Sequence, residues 1–208
     1  MRKQEQILTE YKEFCAAEGN QHIASEYAVI KLQDIIDSFG VENILEIGLG
    51  IGAIAGSLLP VNEHLKYAGT EDNEFCLDAL KTNLGEKYRK VEVFSELSEV
   101  PQIKFDLIII DGKDPDLAKI QQLVTQHGII AIEGDRIPQQ EMLRKYFPGQ
   151  KYVHSISIKK NAAYSPFPQG QWKGGLKIIF VNPNLHQTIW WLREKVFTKL
   201  KYLYRKLR

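Results

Sequence analysis

The stretch from Asn43 to Gly56 reads NILEIGLGIGAIAG. An apolar run carries one carboxylate, Glu46, and glycines follow at 48, 50, 52 and 56. Glycines at this spacing let a backbone come close to a ligand. Gly48, Gly50 and Ala53 satisfy the G-x-G-x-x-G/A pattern of dinucleotide sites. A pyrophosphate there wants bare N–H groups and no neighbouring acid. Glu46 therefore argues for a ligand with a cationic part, and Gly52 turns the run into E-x-G-x-G-x-G. Three further places carry chemistry-bearing side chains. Glu71 and Asp72 follow LKYAGT, Asp111-Gly112 and Asp114 follow FDLIII, and Glu133, Asp135 and Arg136 follow GIIAI. Carboxylates so placed can orient a bound group or take its proton, and an arginine can hold an anionic part of it.

These residues need elements that bring them together. Residues 3–18 and 23–38 read as helices, the second on the stripe Ile23, Tyr27, Ile30, Leu32, Ile35 and Ile36, with Gly40 as its stop. The period then changes. Strands are predicted at 43–47, 65–71, 90–95, 105–111, 128–134, 151–160 and 174–182. Helices are predicted at 53–59, 73–85, 115–128 and 138–147. The strand at 105–111 is apolar on both faces, as a central parallel strand is. The last two strands have no helix between them and should pair antiparallel. This order predicts an α/β, Rossmann-like, seven-stranded, mostly parallel sheet with an antiparallel final hairpin. Ligands bind such sheets at the carboxyl ends of the strands, near the switch in strand order. The glycine loop, Glu71, Ser95, Asp111 and Glu133 all fall at predicted carboxyl ends.

The run EIGLGIG resembles motif I of the class I S-adenosylmethionine-dependent methyltransferases. KFDLIIIDGKDPDL resembles the matching segment of the small-molecule O-methyltransferases of the catechol and caffeoyl-CoA type and their bacterial relatives. HIASEYAVIKLQDII and HGIIAIEGDRI fit the same group, so the resemblance spans residues 20–182. It implies S-adenosyl-L-methionine as cofactor. Gly48, Leu49, Gly50 and Gly52 would approach its methionine part, and Glu46 its ammonium. Glu71, with Asp72 as the substitute, would take the ribose hydroxyls, and Ser95 would flank the adenine. Asp111 and Gly112 would close the site. Transfer of an already activated methyl group needs mainly alignment of the acceptor. Asp111, Asp114 and Asp135 are the candidate bases or orienting groups, and Arg136 the candidate anchor for an anionic acceptor part. The implied reaction is O-methylation of a small molecule or a sugar or glycan acceptor.

The chain departs from the family in two places. Metal-dependent members carry an Asp-Asp or Asp-Asn pair after strand five, whereas Glu133-Gly134-Asp135 has no adjacent pair. A divalent metal is thus a disfavoured option, and no metal ligands are assigned. A D-G-x-H histidine is replaced by Asp114. DGKDP is also similar to the Asp-x-x-Asp-Pro segment of aminopropyltransferases, without the Gly-Pro-Ala that follows it there. A nicotinamide oxidoreductase would need a second substrate domain. A non-catalytic membrane-peripheral or scaffold protein on the same fold is the alternative from another class.

The remaining features set the surroundings. The chain of 208 residues, 44% hydrophobic, suits one domain over 1–184 with a helical appendage at 185–208. Cys15 and Cys76 read as reduced thiols. The charged, helix-periodic start carries no apolar signal segment, so a cytoplasmic protein is expected. The connector at 161–174, with Tyr164, Phe167 and Trp172, reads as a substrate wall. From Leu185 to Arg208 there are seven Lys/Arg and one Glu, whereas the body carries 20 basic and 25 acidic residues. Leu185, Ile189, Leu192, Val196, Leu200, Leu203 and Leu207 fall three or four apart, an apolar stripe on a basic helix. An anionic membrane surface, the body itself or a partner subunit in a homodimer could cover it. No nucleic-acid-reading motif accompanies the charge.

Overall fold

The computed structural model describes residues 3–207. Helix α1 (Lys3–Ala16) and helix α2 (Glu26–Phe39) precede strand β1 (Asn43–Ile47). Ser25 starts α2 by accepting the Ala28 N–H, and Gly40, at φ 61°, ends it with its N–H on Ile36 O. The chain then runs through α3 (Ala53–Leu58), β2 (Lys66–Thr70), α4 (Glu74–Leu84), β3 (Val91–Phe94) and β4 (Phe105–Ile110). It continues with α5 (Ile120–Leu123), β5 (Val124–Ile132), α6 (Ile137–Tyr146), β6 (Lys151–Ile156), β7 (Gly175–Phe180) and α7 (Leu185–Lys206).

The seven strands lie in the order β3-β2-β1-β4-β5-β7-β6. Pairing is parallel from β3 through β5, and β7 runs antiparallel to both β5 and β6. The Rossmann-like sheet and its antiparallel final hairpin thus stand as the alternation of patterns requires. Central β4 is buried on both faces, apart from the half-buried Asp106. Leu107 and Ile109 face one core with α1, α2, α3 and α4, and Ile108 and Ile110 face the other with α5 and α6. The direction of strand order reverses at β1 and β4, which places the crevice for a ligand beyond their carboxyl ends.

Two expected elements differ. The helix expected at 115–128 shrinks to a 3₁₀ turn, Leu117–Lys119, and the single turn of α5. Val124 and Thr125 are β-branched and join β5, where Val124 pairs with Phe105 ahead of a register shift. The strand expected at 151–160 ends at Ile156. Beyond it the connector folds back on itself through a bridge between Lys160 and Trp172.

Helix α7 lies along β6. Trp190 sits 5.7 Å from the Phe39 ring and 5.6 Å from the Phe180 ring. Trp191 Nε1 donates to Tyr152 O at 2.8 Å. No described helix is long and apolar enough to cross a membrane.

Candidate functional site

The strand ends are brought level by hydrogen bonds that continue the sheet. Gly48 N–H donates to Thr70 O at 3.0 Å, Glu71 N–H to Phe94 O at 2.9 Å, Asp111 N–H to Ile47 O at 2.9 Å and Glu133 N–H to Ile110 O at 3.0 Å. The residues expected at carboxyl ends therefore meet along one edge. At its centre the backbones of Gly48 and Gly112 touch. A Cβ on Gly48 would lie 2.4 Å from Gly112 Cα, so neither strand end tolerates a side chain there. Gly50 is required for a different reason. Space is open around it, but its φ is 52°, a conformation that costs other residues roughly 1–2 kcal/mol.

Three cavities adjoin along this edge. The largest, of about 920 Å³, is lined by Gly48, Thr70, Glu71, Ser95, Gly112 and their neighbours. Five carboxylates reach it, from Glu71, Asp72, Glu96, Glu99 and Asp114, against two cations, Lys113 and Arg136. Glu71 accepts the Gly50 N–H at 2.7 Å with one oxygen and the Asn73 N–H at 3.0 Å with the other. The acid at the end of β2 thus sits on the glycine loop itself. Asp114 accepts the backbone N–H groups of Leu97 at 2.9 Å and Asp116 at 2.8 Å. Its carboxylate fixes the loop after β4 while lining the cavity.

The second cavity, of about 290 Å³, lies between the glycine loop, α4 and the loop before α2. Glu46 and Asp111 line it, together with Leu49, Ile54, Phe75 and Cys76. Glu46 is buried and accepts a short hydrogen bond from the Tyr67 hydroxyl. Register explains the pair. Glu46 stands opposite Gly69 on β2, whose missing side chain leaves its place to Leu49, and Tyr67 lies two positions earlier on the same face. Burial pushes the Glu46 carboxyl well above its usual range, and the charges of Asp111 and Glu71 push it further.

The third cavity, of about 460 Å³, is lined by Asp111, Glu133 and Arg136 on one side and by Phe167, Trp172 and Lys173 on the other. Burial pushes the Asp111 carboxyl up to about 8, Glu133 adds to this, and Arg136 opposes it. Burial also raises Glu133, which accepts the Ser25 N–H at 3.0 Å. Arg136 Nε donates to Glu133 O at 3.0 Å. Its Nη2 donates to the Asp111 backbone carbonyl and lies 3.5 Å from Asp111 Oδ1. The aromatic connector is tied down over α2, since the Tyr164 hydroxyl and Lys173 Nζ each meet Glu26 at 2.5 Å.

The structure thus gathers Glu46, Gly48, Leu49, Gly50, Glu71, Asp72, Ser95, Asp111, Gly112, Asp114 and Arg136 around the cavities. Gly52 is set back under the loop against Leu80, where a Cβ would meet a methyl at 2.7 Å. Asp135 is not brought in. Its side chain is 86% exposed and lies 3.8 Å from Lys177, outside the three cavities. The carboxylate that enters from this strand end is Glu133. The donor set for a divalent cation is accordingly not assembled, because Asp135 points away and the Arg136 guanidinium occupies the flank of Asp111. Among the described residues no His, Cys, Asp and Glu group of metal-holding form occurs.

His22 borders all three cavities and has no motif to announce it. It lies in the turn Asn20–His22 between α1 and α2, a segment without periodicity. Tyr67 was equally hidden, since it reads only as a strand residue until its register with Glu46 is known.

Sheet order, antiparallel β7 and a glycine loop at the switch point can be compared with solved structures. They superpose on methyltransferases. This is the Rossmann-like methyltransferase fold. Cofactor-bound Rv0187 from MTB matches with a TM-score of 0.61 at 16% identity, over 86% of this chain and 91% of that one. The O-methyltransferase TomG from Streptomyces achromogenes, solved with SAM and involved in tomaymycin synthesis, matches at 0.58 and 12% identity, over 88% and 90%. The O-methyltransferase from Bacillus cereus in complex with SAH matches at 0.53 and 16%, over 86% and 91%. No family model and no curated protein matches the chain.

Proposed function

We propose that the chain is an S-adenosylmethionine-dependent methyltransferase that transfers a methyl group to a hydroxyl of a small-molecule or sugar-like acceptor. The observation that carries this reading is the pairing of the Gly48–Gly50 loop with an acidic surround. A dinucleotide pyrophosphate would meet the Glu46 carboxyl beside the loop, whereas Glu71 would serve the ribose of either cofactor. A ligand with a sulfonium and an ammonium would instead draw Glu46 into its charged form. The same feature disfavours the nicotinamide alternative. The fit is specific at two points. Gly50 opens into the cavity, and Glu71 offers two oxygens where a ribose presents two hydroxyls.

S-adenosylmethionine supplies an activated methyl group on sulfur when bound. The chain's own residues have then to hold the acceptor in line and take its proton. Asp111 stands between the cavity of Glu46 and the cavity of Trp172, where cofactor and acceptor would meet. A carboxyl raised to about 8 is a competent base near neutral pH. Arg136 holds the Asp111 main chain and would bind an anionic part of the acceptor. Trp172 and Phe167 offer flat apolar faces to a planar or sugar ring.

Conversion of S-adenosylmethionine to S-adenosylhomocysteine over a panel of phenolic and sugar acceptors tests the proposal. Acceptor-dependent turnover is expected, falling at least about tenfold in Asp111→Asn. The pH limb of kcat/KM carried by Asp111 should vanish in that variant. Turnover unchanged by Asp111→Asn would remove Asp111 as the base.

A further inference from the structure

Helix α7 docks by the face that carries Gln187, Trp190, Trp191, Glu194 and Thr198. Glu194 and Thr198 are buried. Glu194 accepts from Ser155 Oγ and from Lys31 Nζ at 3.3 Å, with Lys201 at 3.8 Å. Gln187 donates to His127 O at 2.6 Å, and Arg205 to Ser157 O at 2.7 Å. The apolar stripe consequently faces outward. Leu185 is 76% exposed, Val196 60% and Leu200 56%, with Ile189, Leu192 and Leu203 each above half. A ridge of large apolar side chains therefore runs the length of a 22-residue helix, about 33 Å.

Its spacing of four, three and four residues repeats after Val196 and averages close to the helical period. The ridge stays straight along the helix instead of winding around it. Cations border it on both sides, with Arg193 along one flank and Lys195, Lys199 and Lys206 along the other. The helix itself places no acid beside it, because Glu194, its one acid, points into the body.

We infer that α7 is an interfacial helix that binds an anionic lipid bilayer surface. The apolar ridge would lie among the acyl chains, and the flanking cations at the level of the head groups. Charge decides between a bilayer and a second copy of the chain. Two copies joined ridge to ridge would set cationic flank against cationic flank with no carboxylate of either helix to answer them. An anionic bilayer matches those flanks. The inference does not depend on the methyltransferase reading.

The test is flotation of the full chain with vesicles of phosphatidylcholine alone and with vesicles containing phosphatidylglycerol. Binding is expected only with the anionic vesicles, and it should weaken as salt rises. The double variant Val196→Glu, Leu200→Glu should abolish it with the melting temperature unchanged, since both side chains are more than half exposed. The double variant Lys195→Glu, Lys199→Glu should weaken it by roughly tenfold or more. Absence of flotation with anionic vesicles overturns the inference, as does binding indifferent to Val196→Glu, Leu200→Glu. A dimer in light scattering that this variant dissolves, without vesicle binding, assigns the ridge to a second copy and equally overturns it.

Discussion

Glu46 is buried and Asp111 and Glu133 are half-buried along one edge, with Arg136 beside the latter two. Burial raises all three, so the folded protein holds protons that the unfolded chain releases. Stability from such groups is greatest at and below the ordinary carboxylate range and falls as pH rises. For Asp111 the window runs from its ordinary 3.8 up to about 8. Asp111→Asn is therefore expected to melt higher than the parent at pH 8 and about level with it at pH 4, while turnover falls. Thermal scans at the two values check this, and a lower melting temperature at pH 8 would show the carboxylate to be structural. Glu71 makes the opposite kind of prediction. It holds two backbone N–H groups at the loop, and Glu71→Ala should weaken S-adenosylhomocysteine binding at least about tenfold by calorimetry. At this scale the acids at strand ends were legible because each follows an apolar run. Asp135 lies outside the cavities because the chain leaves the strand at Gly134, at φ 73°, so Asp135 does not keep the direction of Glu133 two residues earlier. His22 and Tyr67 were not legible, because their roles exist only once separate elements are packed.

Among the elements, α1 and α3 pack closely because Gly56 leaves room for Phe14. A Cβ at Gly56 would stand 2.2 Å from the Phe14 ring. Gly56→Ala should cost roughly 1–3 kcal/mol in unfolding free energy, read from denaturant titration, without altering the site's chemistry. A cost near zero would mean that the two helices can separate freely. The strands were readable from their periods. The helix at 115–128 was not, because Leu117, Ile120, Leu123 and Val124 suit a helical stripe while the β-branched pair Val124 and Thr125 goes to β5. Helix α7 shows the limit of periodicity most clearly. The stripe is visible in the sequence, but which face is covered depends on Lys31, Ser155 and Tyr152 lying opposite Glu194 and Trp191. A pattern within one helix holds no information about those distant partners.

For the whole molecule, strand order sets where anything can happen. Reversal at β1 and β4 opens the sheet edge at Gly48 and Gly112, and the acidic loops after β2, β3 and β4 surround that opening, with Arg136 from the loop after β5. The basic helix lies on the far edge strand, β6, and Arg205 stacks 4.9 Å from Trp172, which walls the third cavity. Acid thus concentrates at the candidate site and cationic charge on the outward helix. On the proposed function, the glycine loop and its acids hold an S-adenosyl group. Calorimetric titration with S-adenosylhomocysteine, with NADH as the control, tests it most directly. Saturable binding of S-adenosylhomocysteine, lost in Gly50→Arg and absent for NADH, is the predicted result. Binding of NADH alone, or of neither ligand, would contradict it.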